Sequence, residues 1–193
     1  QLLEAELASA GAHDRELARK SLNGALREVG HLARLAEQFS QYARLPEPRF
    51  EPTELVEVVR AAAGLQPDAE ITIMAPDEPV WVDADRLLLS RAVHNLLLNA
   101  CEATPARGPV EVVVGADAAA TRVEIGDRGP GLPAGWEERV FEPYVSTKRR
   151  GSGLGLSLVR DIVRQHGGTV TLANRPDGGA VACVTLPRRR EAA

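Results

Sequence analysis

Residues 151–160 read GSGLGLSLVR, with Gly151, Gly153 and Gly155 at every second position and an apolar helical pattern directly behind them. A helix N-terminus presents unpaired N–H groups and partial positive charge, and glycine lets the backbone come close to an anion. The stretch therefore predicts either a phosphate cradle at the head of a helix or only a flexible turn. The residues themselves exclude two common phosphate motifs. Leu156 stands where a dinucleotide fingerprint needs its third glycine, the preceding STKRR is not a strand, and no GxxxxGK[ST] occurs.

Working outward, Leu154 to His166 has helical spacing, and Gly167 and Gly168 supply a stop. Two alternating strands are predicted after it, Thr169 to Ala173 and Val181 to Leu186. Before it come strands at Val110 to Val114 and Arg122 to Ile125, and a long helix from about Asp85 to Ala103. Strand-like stretches at Ile71 to Met74 and Val80 to Val82 precede these. A helix from Glu54 to about Gly64, capped by Thr53, opens the mixed region. Upstream, LPEPRFEPTE places Pro46, Pro48 and Pro52 where no helix continues, which marks a boundary. From Arg15 to Arg44 the pattern is helical, with one stripe through Leu22, Leu26, Val29 and Ala33 and a second through Ala25, Leu32 and Phe39. Two stripes call for partners on two sides, as in a bundle. Gln1 to Ala10 reads as the tail of another helix, and residues 11–14 as the turn between them.

Composition narrows the class. The 193 residues are 44% hydrophobic with a formal net charge of −4, enough for one substantial core and without the basic field that a nucleic acid needs. No apolar run approaches the roughly 18 residues of a membrane span. No direct contact with nucleic acid or bilayer is expected. Cys101 and Cys183 lack the spacing of a metal site or a disulfide framework, so reduced thiols and a cytoplasmic setting are expected. The start at Gln1 suggests a piece of a longer polypeptide.

Two further stretches carry chemistry. In HNLLLNACEA, Asn95 and Asn99 lie four apart on one helix face; they are either an amide ladder for neighbouring backbone or oxygen donors for a hard cation such as Mg²⁺. The strand VEIGD delivers Asp127 ahead of Gly129 and Gly131, where a carboxylate can accept from an exocyclic amino group while a flat ring approaches, or form an ordinary turn. FEPYVSTKRR then joins aromatic residues to a basic run. Its composition suits either a lid over a nucleotide, mobile without ligand from Pro143 to Ser152, or a solvated connection.

In order and separation, NLLLNA (95–100), DRGPG (127–131), FEPY (141–144) and GSGLGL (151–156) resemble the N, G1, F and G2 boxes of sensor histidine kinases, whose ATP-binding domain is related to those of DNA gyrase and heat-shock chaperones. The resemblance covers residues 54–187. REVGHLARLAEQFSQYARLPEP (27–48) is similar to the second helix of that family's dimerisation and phosphotransfer hairpin, of the nitrogen-regulation type. The implied organisation is a partial helical hairpin at 1–45, a linker at 46–53, an ATP-binding catalytic domain at 54–187 and a disordered tail at 188–193. The implied fold is α+β, a two-layer α/β sandwich of the Bergerat type preceded by the hairpin segment.

The resemblance also implies roles. Asn95 and Asn99 would be catalytic, with Asn99 binding Mg²⁺, and Asp127 would read adenine beside Gly129 and Gly131. Gly151, Gly153, Leu154, Gly155 and Leu156 would cradle the phosphates of ATP, Lys148 would close over them from the lid, and Thr185 would complete the nucleotide contacts. Asn95 stands where ATPase relatives carry a glutamate that activates water, so slow hydrolysis is expected. Glu102 stands where many members carry a lysine, which shifts phosphate neutralisation to Mg²⁺, Lys148 or Arg149. None of His13, His31, His94 and His166 has the surroundings of the family's phosphoacceptor, so the acceptor is expected upstream of Gln1; His94 has a separate possible role beside the nucleotide. Implied partners are a cognate response regulator and, through the hairpin, a second copy in the full protein. The alternatives are a serine kinase on the same nucleotide fold and a non-catalytic ATP-binding module.

Overall fold

The computed structural model describes residues 16–26, 28–30, 45–104, 108–146 and 151–189. The chain divides into two compact units, 1–44 and 45–193. In the first, the described residues are helical and leave Leu17, Leu22, Leu26 and Val29 exposed. The remaining parts of the predicted hairpin lie outside the described residues.

In the second unit the elements follow in the order β1 (Glu51–Glu54), α1 (Leu55–Gly64), β2 (Ile71–Met74), β3 (Trp81–Ala84), α2 (Arg86–Ala103), β4 (Val110–Ala116), β5 (Ala120–Gly126), a 3₁₀ turn (Arg139–Phe141), α3 (Gly155–Gln165), β6 (Thr169–Asn174) and β7 (Ala180–Pro187). β2, β4, β5, β7 and β6 form one sheet in that order, with β2 parallel to β4 and the other pairs antiparallel. Strict alternation explains its two faces: Val110, Val112 and Val114, then Thr121, Val123 and Ile125, then Ala182, Val184 and Leu186 are buried. The residues between them are half-buried or exposed. The inner face packs under α2, which is flanked by α1 and α3. Leu89, Leu97, Ile162 and Val163 fill the interface between the layers. This is the two-layer α+β sandwich that was expected.

The helix ends follow from local chemistry. Asp85 caps α2, its Oδ1 accepting from the Leu87 and Leu88 N–H groups at 3.0 Å each. At the far end of α3, Gly167 takes φ +69° and Gly168 N–H donates to Val163 O at 2.9 Å, which turns the chain into β6. His166 is buried there, with Nδ1 on Ile162 O at 2.8 Å and Nε2 accepting from the Asp85 N–H at 3.0 Å. That pair of bonds ties the end of α3 to the start of α2.

Two expectations need correcting. Residues 51–53, read as linker, belong to β1, which pairs antiparallel with β3; Pro52 is tolerated because only one side of so short a strand is paired. Thr53 accordingly does not cap α1. It lies in register with Val82, its hydroxyl donates to Ala84 O at 3.2 Å, and Glu54 is the cap, accepting from Val56 N–H and Glu57 N–H at 3.0 and 2.7 Å. A glutamate serves because its second task is to accept from the Val80 N–H at 3.0 Å, joining the cap to the strand before α2.

Candidate functional site

Asn95 and Asn99 both face the N-terminus of α3. A Cβ at Gly155 would lie 3.4 Å from Asn95 Oδ1 and 3.9 Å from Asn99 Nδ2, so both amides reach the first residue of α3. Asn95 Nδ2 donates to Arg91 O at 3.0 Å, which turns its amide oxygen away from its own helix. Beside it, His94 keeps Nδ1 buried without a hydrogen-bond partner among the described residues. The opposing end of α3 has Leu154 as its N-cap residue with no side-chain cap bond. Among the described residues, no side chain caps its first N–H groups, which suit an outside acceptor. Ser152 and Ser157 brace the turn instead, Leu154 N–H reaching Ser152 Oγ at 3.4 Å and Ser157 Oγ donating to Leu154 O at 2.9 Å.

β5 delivers Asp127 one residue past its end, 8% exposed. Its N–H donates to Ala180 O at 2.9 Å, while Oδ1 accepts from Gly129 N–H at 2.8 Å and Ala180 N–H at 3.2 Å. Both side-chain bonds fall on Oδ1, and among the described residues Oδ2 is the oxygen that remains for a ligand. Gly129 sits so close to the last turn of α2 that a Cβ would lie 2.6 Å from Ala103 O. Asp127 is thus fixed against the helix that carries the asparagine pair. Gly131, at φ +75°, lets the loop turn where a Cβ would meet Asn174 Oδ1 at 2.5 Å.

The glycine-rich segment meets the FEPY segment through a close backbone approach. Tyr144 N–H donates to Gly153 O at 3.1 Å, and a Cβ on Gly153 (φ +68°) would lie 2.5 Å from Tyr144 C. Tyr144 itself sits at φ +67°, a conformation costing on the order of 1–2 kcal/mol for a residue of this kind. Gly151 is exposed at the mouth of the turn. Lys148 and Arg149 lie outside the described residues, as does the rest of 147–150.

One expected site residue is not brought in. Thr185 lies five residues along β7 from Ala180, roughly 17 Å at strand rise, and alternates with the buried Val184 and Leu186, so it projects from the outer face of the sheet. Ala180 and Gly179 are the β7-side groups at Asp127, and sequence reading passed over them. Their signal was PDGG at 176–179, a turn between two predicted strands. Two cavities of about 270 and 320 Å³ around Gly115 and Ala116 contain none of the site residues.

No group of three or more His, Cys, Asp or Glu gathers as a metal cage among the described residues. The Asn95 amide oxygen at the mouth of α3, with the Asn99 amide beside it, is instead the donor type that a hard cation takes alongside phosphate and water.

Residues 84–190 match the family of histidine kinase-, DNA gyrase B-, and HSP90-like ATPases. The nitrogen regulation protein NtrY of Azorhizobium caulinodans is 35% identical over 184 residues, covering 90% of this chain and 24% of NtrY. Full-length ShkA in complex with AMPPNP is similar at a TM-score of 0.75 and 29% identity, over 90% of this chain and 40% of ShkA. Histidine kinase ThkA, in complex with response regulator protein TrrA, is similar at a TM-score of 0.75 and 26% identity, over 89% of this chain and 52% of ThkA.

Proposed function

Because the chain belongs to the histidine kinase-, DNA gyrase B- and HSP90-like ATPases, as the ATP-binding catalytic domain of a sensor histidine kinase, we propose that it holds Mg-ATP between α2 and α3 and passes the γ-phosphate to a histidine. The phosphoryl group then goes to a response regulator, and the helical segment pairs with a second copy in the full, cytoplasmically acting protein. The observation that supports this reading is Asp127: it is buried, with Oδ1 bonded twice by backbone N–H groups, which leaves Oδ2 as an acceptor for a ligand.

The roles follow from the chemistry of each group. Asp127 Oδ2 accepts from the C6 amino group of adenine, and the loop glycines Gly129 and Gly131 leave room for the ring. Gly153, Leu154, Gly155 and Leu156 offer backbone N–H groups to the phosphates, with Gly151 at the entrance and Lys148 closing from the lid. Asn99 would hold Mg²⁺, which supplies neutralisation of phosphate charge. Asn95 cannot act as a general base, so water is not activated and ATP persists until a better nucleophile arrives. A neutral imidazole nitrogen is that nucleophile. In-line attack forms a P–N bond as the bond from γ-phosphorus to the bridging oxygen breaks, and ADP leaves with the electron pair.

Calorimetry tests the assignment. Asp127→Asn, which loses the charge of an assisted hydrogen bond, is expected to weaken ATP about tenfold to a hundredfold. Asn99→Ala is expected to remove the dependence of binding on Mg²⁺. Unchanged ATP affinity in the first variant contradicts the adenine contact, and unchanged Mg²⁺ dependence in the second contradicts the metal role.

A further inference from the structure

We infer that Asn174, the last residue of β6, is a positioning residue for purine selection: it fixes the loop behind Asp127 so that adenine is accepted and guanine refused. The inference rests on Asp127 as the base contact. Asn174 grips one residue twice, Oδ1 accepting from Leu132 N–H at 2.6 Å and Nδ2 donating to Leu132 O at 3.0 Å. Only a side-chain amide presents a donor and an acceptor side by side in this way, and the pairing fixes which way the amide faces.

The register makes the grip consequential. Asn174 pairs with Ala180 across β6 and β7. Ala180 holds Asp127 through its own C=O and N–H, one bond to the Asp127 backbone and one to its side chain, and Asn174 holds Leu132 by two side-chain bonds. A single rung of the hairpin therefore clamps both ends of the segment 127–132, which has no regular structure of its own. The hairpin is in turn secured beyond the rung: Arg175 N–H donates to Gly179 O at 3.0 Å, and the Arg175 side chain joins Asp177 at 3.2 Å and Glu111 of β4 at 2.9 Å. Arg128, inside the clamped segment, bonds Glu111 at 2.9 Å and also Asp177. β4, the loop and the hairpin form one unit.

A carboxylate discriminates between purines only if it cannot retreat. Adenine carries a donor at C6 and guanine an acceptor, so a fixed Asp127 Oδ2 bonds the first and repels the second. If the far end of the loop loosens, the bond to adenine weakens and the repulsion of guanine relaxes.

Calorimetry on the whole chain with Mg-ATP, Mg-GTP and inorganic tripolyphosphate reads this directly. In Asn174→Ala, ATP affinity is expected to fall about threefold to tenfold, the size being limited because Asn174 is exposed and water replaces its bonds. GTP affinity is expected to hold or rise and tripolyphosphate to stay unchanged, so the ATP-over-GTP ratio narrows. Asn174→Asp, which keeps the acceptor for Leu132 N–H but opposes Leu132 O with another acceptor, is expected to fall between the two and serves if the alanine variant unfolds. A uniform loss across all three ligands, or an unchanged ratio, overturns the inference. Failure of the unaltered chain to prefer ATP removes the base contact beneath it and the inference together, and is distinguished by appearing before any substitution.

Discussion

At Gly179 a Cβ would lie 2.0 Å from Asp127 O, and the residue sits at φ +86°; its neighbour Gly178, at φ +95°, would meet nothing within 4 Å. The pair separates backbone strain from collision. Gly178→Ala pays only for the left-handed conformation, about 1 kcal/mol, whereas Gly179→Ala adds a clash with the backbone of the site and is expected to cost about 2–3 kcal/mol or more. Urea denaturation of the two variants measures the difference, and equal losses would show that Gly179 is kept for its conformation alone. At this scale the sequence revealed the groups whose chemistry is local. Asn95 and Asn99 share a face because of their spacing, and Asp127 precedes its glycines. It could not reveal that Gly179 and Ala180, more than fifty residues on, complete the surroundings of Asp127, nor that Thr185 points away from them. Strand alternation decides on which face a residue lies, and an error of one position reverses it.

Among elements, the hairpin of β6 and β7 carries a network of charged side chains at its turn. Asp177 is held at a pKa of about 2, against an ordinary 3.8, by the guanidinium of Arg175 and then that of Arg128. Glu111 is likewise held low by Arg128 and Arg175. A carboxylate depressed in the folded state contributes stability above its unfolded value and loses it as pH falls through the folded one. The melting temperature of the protein should therefore exceed that of Asp177→Asn by a constant margin above about pH 5, with the margin shrinking between pH 3.8 and about 2. Because these groups are exposed, the margin should also narrow with added salt. A margin that does not change with pH would remove Asp177 from the network. Most elements were legible from periodicity: α2, α3, β4, β5, β6 and β7 fall within a residue or two of their expected bounds, because their apolar positions repeat at 3.6 or 2. β1 was not. Four residues with a proline carry no period, and only the partner strand β3 makes them a strand.

Across the whole molecule, every described group assigned to the nucleotide lies in the unit 45–193, which has its own buried core. Binding and transfer therefore make separable demands. In the proposed reading, binding uses α2, the loop after β5, α3 and the β6–β7 hairpin. The proposed transfer would also need an imidazole held in line with the γ-phosphate, and effective concentration is what a tethered helix would contribute. A chain shortened to residues 45–193 is expected to bind ATP within about twofold of the full 193 residues, because every described group assigned to the nucleotide lies in that unit. With γ-labelled ATP and a helical hairpin carrying an acceptor histidine supplied in solution, the shortened chain should label that hairpin more slowly than a fusion of the two. Rates that converge as the free hairpin is raised toward millimolar concentration would identify the difference as positional. Loss of ATP binding on shortening would instead show that the helical segment takes part in holding the nucleotide, and equal rates for free and fused hairpins at micromolar concentration would show that tethering contributes nothing.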